Sequence, residues 1–153
     1  MTPRELAASH RSKIIARRWL GMMIDVGLIF LLCAVIGVLV PARNGLVEGL
    51  LLFGIPFLYY VSMEGVFGRT VGKFALGMIV IDDRGAVPAL GPIVIRTLTR
   101  YVEANPILLG GIPAGLVADR SAARQRLGDM LAGTYVVFTS ELPKLREPEP
   151  YEG

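Results

Sequence analysis

At 153 residues, with 53% hydrophobic and 19% charged, the chain has the length of one domain and too little polar surface for an ordinary soluble one. Its mean hydropathy of +0.55 sets much of that apolar surface against lipid. The net charge of +3 and pI of about 9.3 then read as cytoplasmic loops facing anionic headgroups, which excludes a nucleic-acid partner. A single cysteine, Cys33, excludes an intramolecular disulfide, and a single histidine, His10, leaves no zinc-ligand set and no thiol–imidazole pair.

Residues 1–17 form a basic N-terminal segment, in which Arg4, Arg11, Lys13 and Arg17 lead into Arg18 against one acid, Glu5. Residues 3–17 predict a short interfacial helix whose apolar edge is Leu6, Ile14 and Ile15. The basic residues ahead of the first apolar run place this end in the cytoplasm.

The run from Trp19 to Val40 carries one carboxylate, Asp25. A helix rising ~1.5 Å per residue extends ~33 Å over this run, enough for a hydrocarbon core of ~30 Å. The run is too long for a signal peptide's apolar region and no small-x-small cleavage site follows it, so it reads as a retained span. An ionised carboxylate at bilayer depth costs roughly 2.5–3.5 kcal/mol, so Asp25 needs a partner or a task. Arg18 lies nearly two helical turns earlier on the same face, which makes an Arg18–Asp25 pair one reading. A proton- or cation-binding acid is the other. Gly21 and Gly27 would let a neighbouring helix approach closely.

A second apolar run, Leu46 to Met63, follows the loop Pro41 to Gly45, with Glu48 at its outer end and Glu64 at its inner end. Pro56, just after Gly54, predicts a kink that frees backbone carbonyls at mid-membrane. Tyr59 and Tyr60 suit the inner interface. The run is a span returning antiparallel to the first, which brings Arg18, Asp25 and Glu64 into the inner third of the membrane. The plainer reading of Glu64 is that it ends its span among the headgroups.

Gly68-Arg69-Thr70-Val71-Gly72-Lys73 is glycine-rich and basic, but lacks the spacing and the Lys-Ser/Thr pair of a phosphate loop. A β-branched run then ends at Asp82-Asp83-Arg84-Gly85, where adjacent aspartates fit a turn better than a metal site. A helix resumes at Gly91, and Arg96, Arg100 and Glu103 share one of its faces, either solvated or facing the acids. Asn105-Pro106 breaks this helix, and Ile107 to Ala118 is too short to span alone. Crossing once over 91–118 would put the following arginines outside, so a kinked or re-entrant helical pair is expected. A short helix carrying Asp129 stops at Gly133. Tyr135 to Thr139 is then a strand to pair with Met78 to Asp82. The proline- and charge-rich end, residues 140–153, is expected as a disordered tail.

The fold expected is an all-α membrane protein. It comprises a small helical bundle of two full spans plus a kinked or re-entrant helical pair, with a short cytoplasmic two-stranded β ribbon. Residues 18–139 form its membrane domain.

Three motifs occur in order: the arginine at the start of the first span with Asp25 inside it; Gly68 to Lys73 with the Leu76-Gly77-Met78-Ile79-Val80 strand; and Arg126-Leu127-Gly128-Asp129-Met130-Leu131-Ala132-Gly133-Thr134. Together they resemble the RDD family of prokaryotic membrane proteins over Ala16 to Phe138. The family is named for one arginine and two aspartates, which fall by motif on Arg18, Asp25 and Asp129. The chain departs at Gly128, where many members carry histidine. The resemblance implies a membrane domain for which ligand transport has been suggested, with cation/proton antiport attributed to some members.

Two functions follow as expectations. One is a cation or proton transporter, or a subunit of one, using Asp25 within a charge cluster of Arg18, Glu64, Arg96, Arg100 and Asp129. A chain this short would build a pathway as a homo-oligomer or with another membrane protein. The other is a non-catalytic scaffold or assembly factor that recruits a partner through Gly68, Arg69, Thr70, Gly72 and Lys73. An enzyme is not expected, because no nucleophile–base pair or metal-ligand cluster is present, and neither a cofactor nor a metal is implied. The location expected is the plasma membrane, multi-pass, with both termini cytoplasmic.

Overall fold

The computed structural model describes residues 1–9, 11–39, 44–103 and 125–145. The break expected at Asn105-Pro106, the arm to Ala118 and residues 146–153 of the tail lie outside them.

Helix α1 (Pro3–Ser9) leads into α2 (Arg11–Leu39), which contains the apolar helix Ile14–Leu39. A second apolar helix, Gly45–Phe67, combines α3 (Gly45–Gly49), a π-helical turn (Leu50–Gly54) and α4 (Ile55–Phe67). At 26 and 23 residues, with mean hydropathies of 2.7 and 1.7, both are long and apolar enough to cross a bilayer. Their outward side chains are bare, with Phe30 75%, Val38 81% and Leu46 74% exposed. Leaving large apolar side chains bare along two whole helices suits an apolar solvent and not water.

The expected kink at Pro56 takes the form of the π-helical turn immediately before it. Proline has no N–H to donate and its ring crowds the carbonyl four residues earlier, so a widened turn relieves the clash. Two carbonyls of this turn find side-chain donors: Tyr101 Oη reaches Phe53 O at 2.5 Å, and Cys33 Sγ lies 3.9 Å from Leu51 O.

After α5 (Val71–Ala75) come β1 (Met78–Asp82), α6 (Leu90–Glu103), α7 (Leu127–Leu131), β2 (Thr134–Phe138) and a 3₁₀ helix (Thr139–Lys144). The strands pair antiparallel as expected, from Met78↔Phe138 to Asp82↔Thr134, with β2 starting one residue early, directly after the left-handed Gly133 (φ 59°). Asp82 Oδ1 accepts the amides of Arg84 and Ala86 at 2.9 Å each, so it caps its own turn.

A two-stranded ribbon is only marginally stable alone, and here each face has a cover. Met78, Val80, Val136 and Phe138 pack on Ile14 at the start of α2. On the alternate face Ile81 and Val137 pack on Leu6 and Ala7 of α1, joined by Leu142 and Leu145. This corrects two expectations. The apolar edge of the N-terminal segment covers the ribbon and not the membrane surface. The segment expected to be disordered from residue 140 begins with a 3₁₀ helix, held because Leu142 completes the second cluster and Glu141 is buried.

Helix α6 is turned with its polar face inward. Arg96 and Thr97 are buried while Ile95, Leu98 and Val102 stand exposed. That orientation makes sense only if acids wait inside, and they do.

Helix α5 lies across α2 at Gly21. A Cβ built on Gly72 would overlap the Gly21 carbonyl oxygen, whereas Gly27 faces open space with nothing within 4 Å. The close approach expected of Gly21 is therefore made to α5 and not to the second span, and Gly27 takes no part. Gly72→Ala should cost about 1–3 kcal/mol through overpacking against backbone. Thermal unfolding in detergent should show a lower Tm for Gly72→Ala and an unchanged one for Gly27→Ala; equal Tm values for the two would contradict the packing described.

Candidate functional site

Asp25 is held by hydrogen bonds from the second apolar helix and the loop after it. Tyr59 Oη donates to Oδ1 at 2.7 Å, Gly72 N to the same oxygen at 2.8 Å, and Thr70 Oγ1 to Oδ2 at 2.6 Å. Thr70 is also the N-cap of α5, accepting from Lys73 N at 3.3 Å, and Tyr59 Oη accepts from Val71 N at 3.1 Å. Gly68, at φ 65°, ends α4 in the left-handed conformation that turns the chain into this loop. A glycine-rich turn opening a helix presents amides that suit an anion. Here the anion is the protein's own aspartate.

The expected Arg18–Asp25 pair does not form. Arg18 Nη2 instead pairs with Asp129 Oδ2, 111 positions away on α7. The reason is supply: Asp25 already has three neutral donors, while Asp129 lies buried opposite the arginine with no such set. Arg96 Nη1 holds the other Asp129 oxygen at 2.7 Å and donates to Thr134 Oγ1 at 2.5 Å. The Arg126 amide donates to Asp129 Oδ2 at 3.1 Å, an acid reaching back over the first turn of its helix.

Glu64, fully buried on α4, is the hub. Lys73 Nζ lies 2.6 Å and Arg100 Nη2 2.8 Å from its Oε1, and Arg96 Nε 3.2 Å from its Oε2. Arg96 thus bridges Glu64 to Asp129 and so joins the apolar helices to the ribbon through α6 and α7. The Arg100 guanidinium lies 3.8 Å over the ring of Tyr60. Arg69 is directed elsewhere and stacks on Phe74 at 4.5 Å.

The six residues of the expected charge cluster are brought to one region. Arg18, Glu64, Arg96, Arg100 and Asp129 form the ion-pair network, and Asp25 sits beside it in its own hydrogen-bonded socket. The sequence marks Lys73 only as a loop cation, and no spacing in it ties Lys73, Tyr59, Tyr60 or Thr134 to Glu64, Asp25 or Asp129. Gly128 has a packing role, because a Cβ there would meet the Thr99 side chain and hold α7 off α6.

Burial alone would raise the Asp129 carboxyl, but Arg18 and Arg96 override it and hold it well below the usual carboxylate range. Burial pulls the Lys73 ammonium down to about 7 despite Glu64, with Arg96 and Arg100 adding to the fall. A cavity of about 30 Å³ adjoins the network, lined by Asp25, Lys73, Arg100, Arg126 and Asp129 among others. It has room for a few waters or a small group of ligand atoms.

Removing one partner of a buried ion pair leaves an uncompensated charge, so Glu64→Gln should cost about 3–5 kcal/mol, seen as poor yield or a much lower Tm in detergent. The depressed Asp129 carboxyl contributes stability that is complete above its unfolded pKa of about 3.9 and lost as pH falls below it. Tm should therefore drop on acidification from about pH 5 to about pH 3, with a shallower slope in Asp129→Asn. Parallel slopes would contradict the assignment.

The family model described as RDD family matches residues 14–133, most of the chain. No curated protein and no solved structure matches it. RDD family proteins are membrane proteins, in keeping with two bare apolar helices of spanning length and with an arginine and two aspartates at the heart of the site. The chain belongs to the RDD family.

Proposed function

We propose that this chain is a non-catalytic membrane scaffold. Its two antiparallel spans and buried charge network hold the Gly68–Lys73 loop and the β ribbon at the cytoplasmic face of the plasma membrane for a membrane-protein partner or a second copy. The observation that carries this reading is the socket of Asp25. Three donors from Tyr59, Thr70 and Gly72 occupy both carboxylate oxygens. An acid that carries an ion must exchange ligands, and releasing these would undo the cap of α5 and the docking of the loop. In this reading the intramembrane acid is a strut.

The topology rests on the ribbon. Pairing of Met78 with Phe138 brings the chain after the second apolar helix beside the chain after α7, which supports putting both on one side of the membrane. Packing of α1 on the same ribbon supports the same side for the N-terminus, and its basic residues favour the cytoplasm.

A second reading is a cation or proton transporter working as an oligomer. It is favoured by one observation, that Asp25 and Asp129 both line the same small cavity. Asp25→Asn separates the two. Its amide nitrogen cannot accept from Thr70 or Gly72, so the scaffold reading expects a loss of about 1–3 kcal/mol in stability and no change in ion flux. Sodium–proton exchange in reconstituted vesicles, beside Tm in detergent, makes the measurement. Exchange by the parent that vanishes in a variant of unchanged Tm would replace the scaffold with the transporter.

A further inference from the structure

Helix α6 lies along the second apolar helix and runs the opposite way. Near its start, the Ile93 side chain is 4.0 Å from where a Cβ on Gly65 would stand. Arg96 and Arg100 then pair with Glu64, and Arg100 covers the ring of Tyr60. At its end, Tyr101 Oη reaches Phe53 O, and the Tyr101 and Phe53 rings are 5.9 Å apart. Phe53 lies roughly 20 Å along the helix axis from Phe67, where the second apolar helix ends. The last turn of α6 is therefore beside the interior of that helix and not beside its end.

The outward face of α6 is apolar. Ile95, Leu98 and Val102, spaced three and four apart, are 41%, 53% and 62% exposed. The charged positions Arg96, Arg100 and Glu103 share the other face by spacing. Thr97 Oγ1 donates to Ile93 O at 2.9 Å and Thr99 Oγ1 to Ile95 O at 3.0 Å, each within its own helix. A hydroxyl bonded back to its helix is satisfied without solvent. The neighbouring helix is bare as well, with Leu58 67% exposed.

We propose that α6 inserts into the bilayer from the Phe67 end of the second apolar helix, with Ile95, Leu98 and Val102 against acyl chains. The proposal rests on the second apolar helix crossing the membrane, as in the scaffold reading. Given that crossing, an element joined to the interior of the helix shares its depth, and acyl chains are what meets a bare apolar face there. The arginines of α6 can enter because they face Glu64 and not lipid.

The test uses the full chain in vesicles of phosphatidylcholine and phosphatidylglycerol. Its single cysteine is first removed by Cys33→Ala or, if that variant folds poorly, by Cys33→Ser, which keeps a donor near Leu51 O. Spin labels are then attached at Ile95→Cys, Leu98→Cys and Val102→Cys. Leu58→Cys on α4 and Arg84→Cys in an exposed turn serve as references. Collision of each label with oxygen, which concentrates among acyl chains, is compared with collision with a water-soluble nickel chelate. The oxygen-to-nickel ratio at the three α6 positions should be severalfold higher than at Arg84, and it should rise from Ile95 to Val102. Three results overturn the insertion while a high ratio at Leu58 leaves the crossing in place. They are a ratio like that of Arg84, a ratio that does not rise towards Val102, and shielding from both reagents, as under a second copy. A water-like ratio at Leu58 as well removes the crossing itself, and the proposal with it.

Discussion

A carboxylate with no access to water has to be neutralised where it stands, and Glu64 meets that demand with three cations from two other elements. Lys73 comes from α5, after the second apolar helix, and Arg96 and Arg100 come from α6. None of the three could leave without exposing the others to an unbalanced field. The position of α5, the orientation of α6 and, through Arg96, the seat of α7 all follow from this one buried acid. Asp129 repeats the arrangement on a smaller scale, tied to Arg18 near the start of the first apolar helix and to Arg96 from the side.

The inward polar face of α6 is the clearest consequence. In water its exposed Ile95, Leu98 and Val102 would be the wrong side out. For a member of a family of membrane proteins the inversion is consistent, because charges gather where they can pair and apolar side chains are left to face an apolar surrounding. The ribbon shows the complementary logic. It is covered on both faces by residues of the N-terminal segment and of the chain end, as a soluble element would be.

The loop from Gly68 to Lys73 has the look of a phosphate cradle, and the physics of one, with its amides gathered at a helix start. Asp25 fills it from the first apolar helix. An acid within an apolar helix is therefore satisfied by neutral donors and backbone, while an arginine seven positions before it serves a different acid.

Much was legible in the residues themselves. Runs of apolar side chains set the two helices of spanning length, the β-branched stretches set the strands of the ribbon to within one residue, and Pro56 marked the irregular turn, because these depend on local composition and backbone geometry. The RDD motif, too, was readable from Arg18, Asp25 and Asp129. Partnership was not. Seven positions separate Arg18 from Asp25 and 111 separate it from Asp129, yet the distant acid is the partner. Ion pairing depends on which side chains the ribbon and α6 bring within reach, and on whether an acid has already been satisfied by uncharged donors. Those are properties of packed elements, so only the tertiary structure decided that Asp25 is capped, that Glu64 is the hub, and that Lys73 and Thr134 belong to the site.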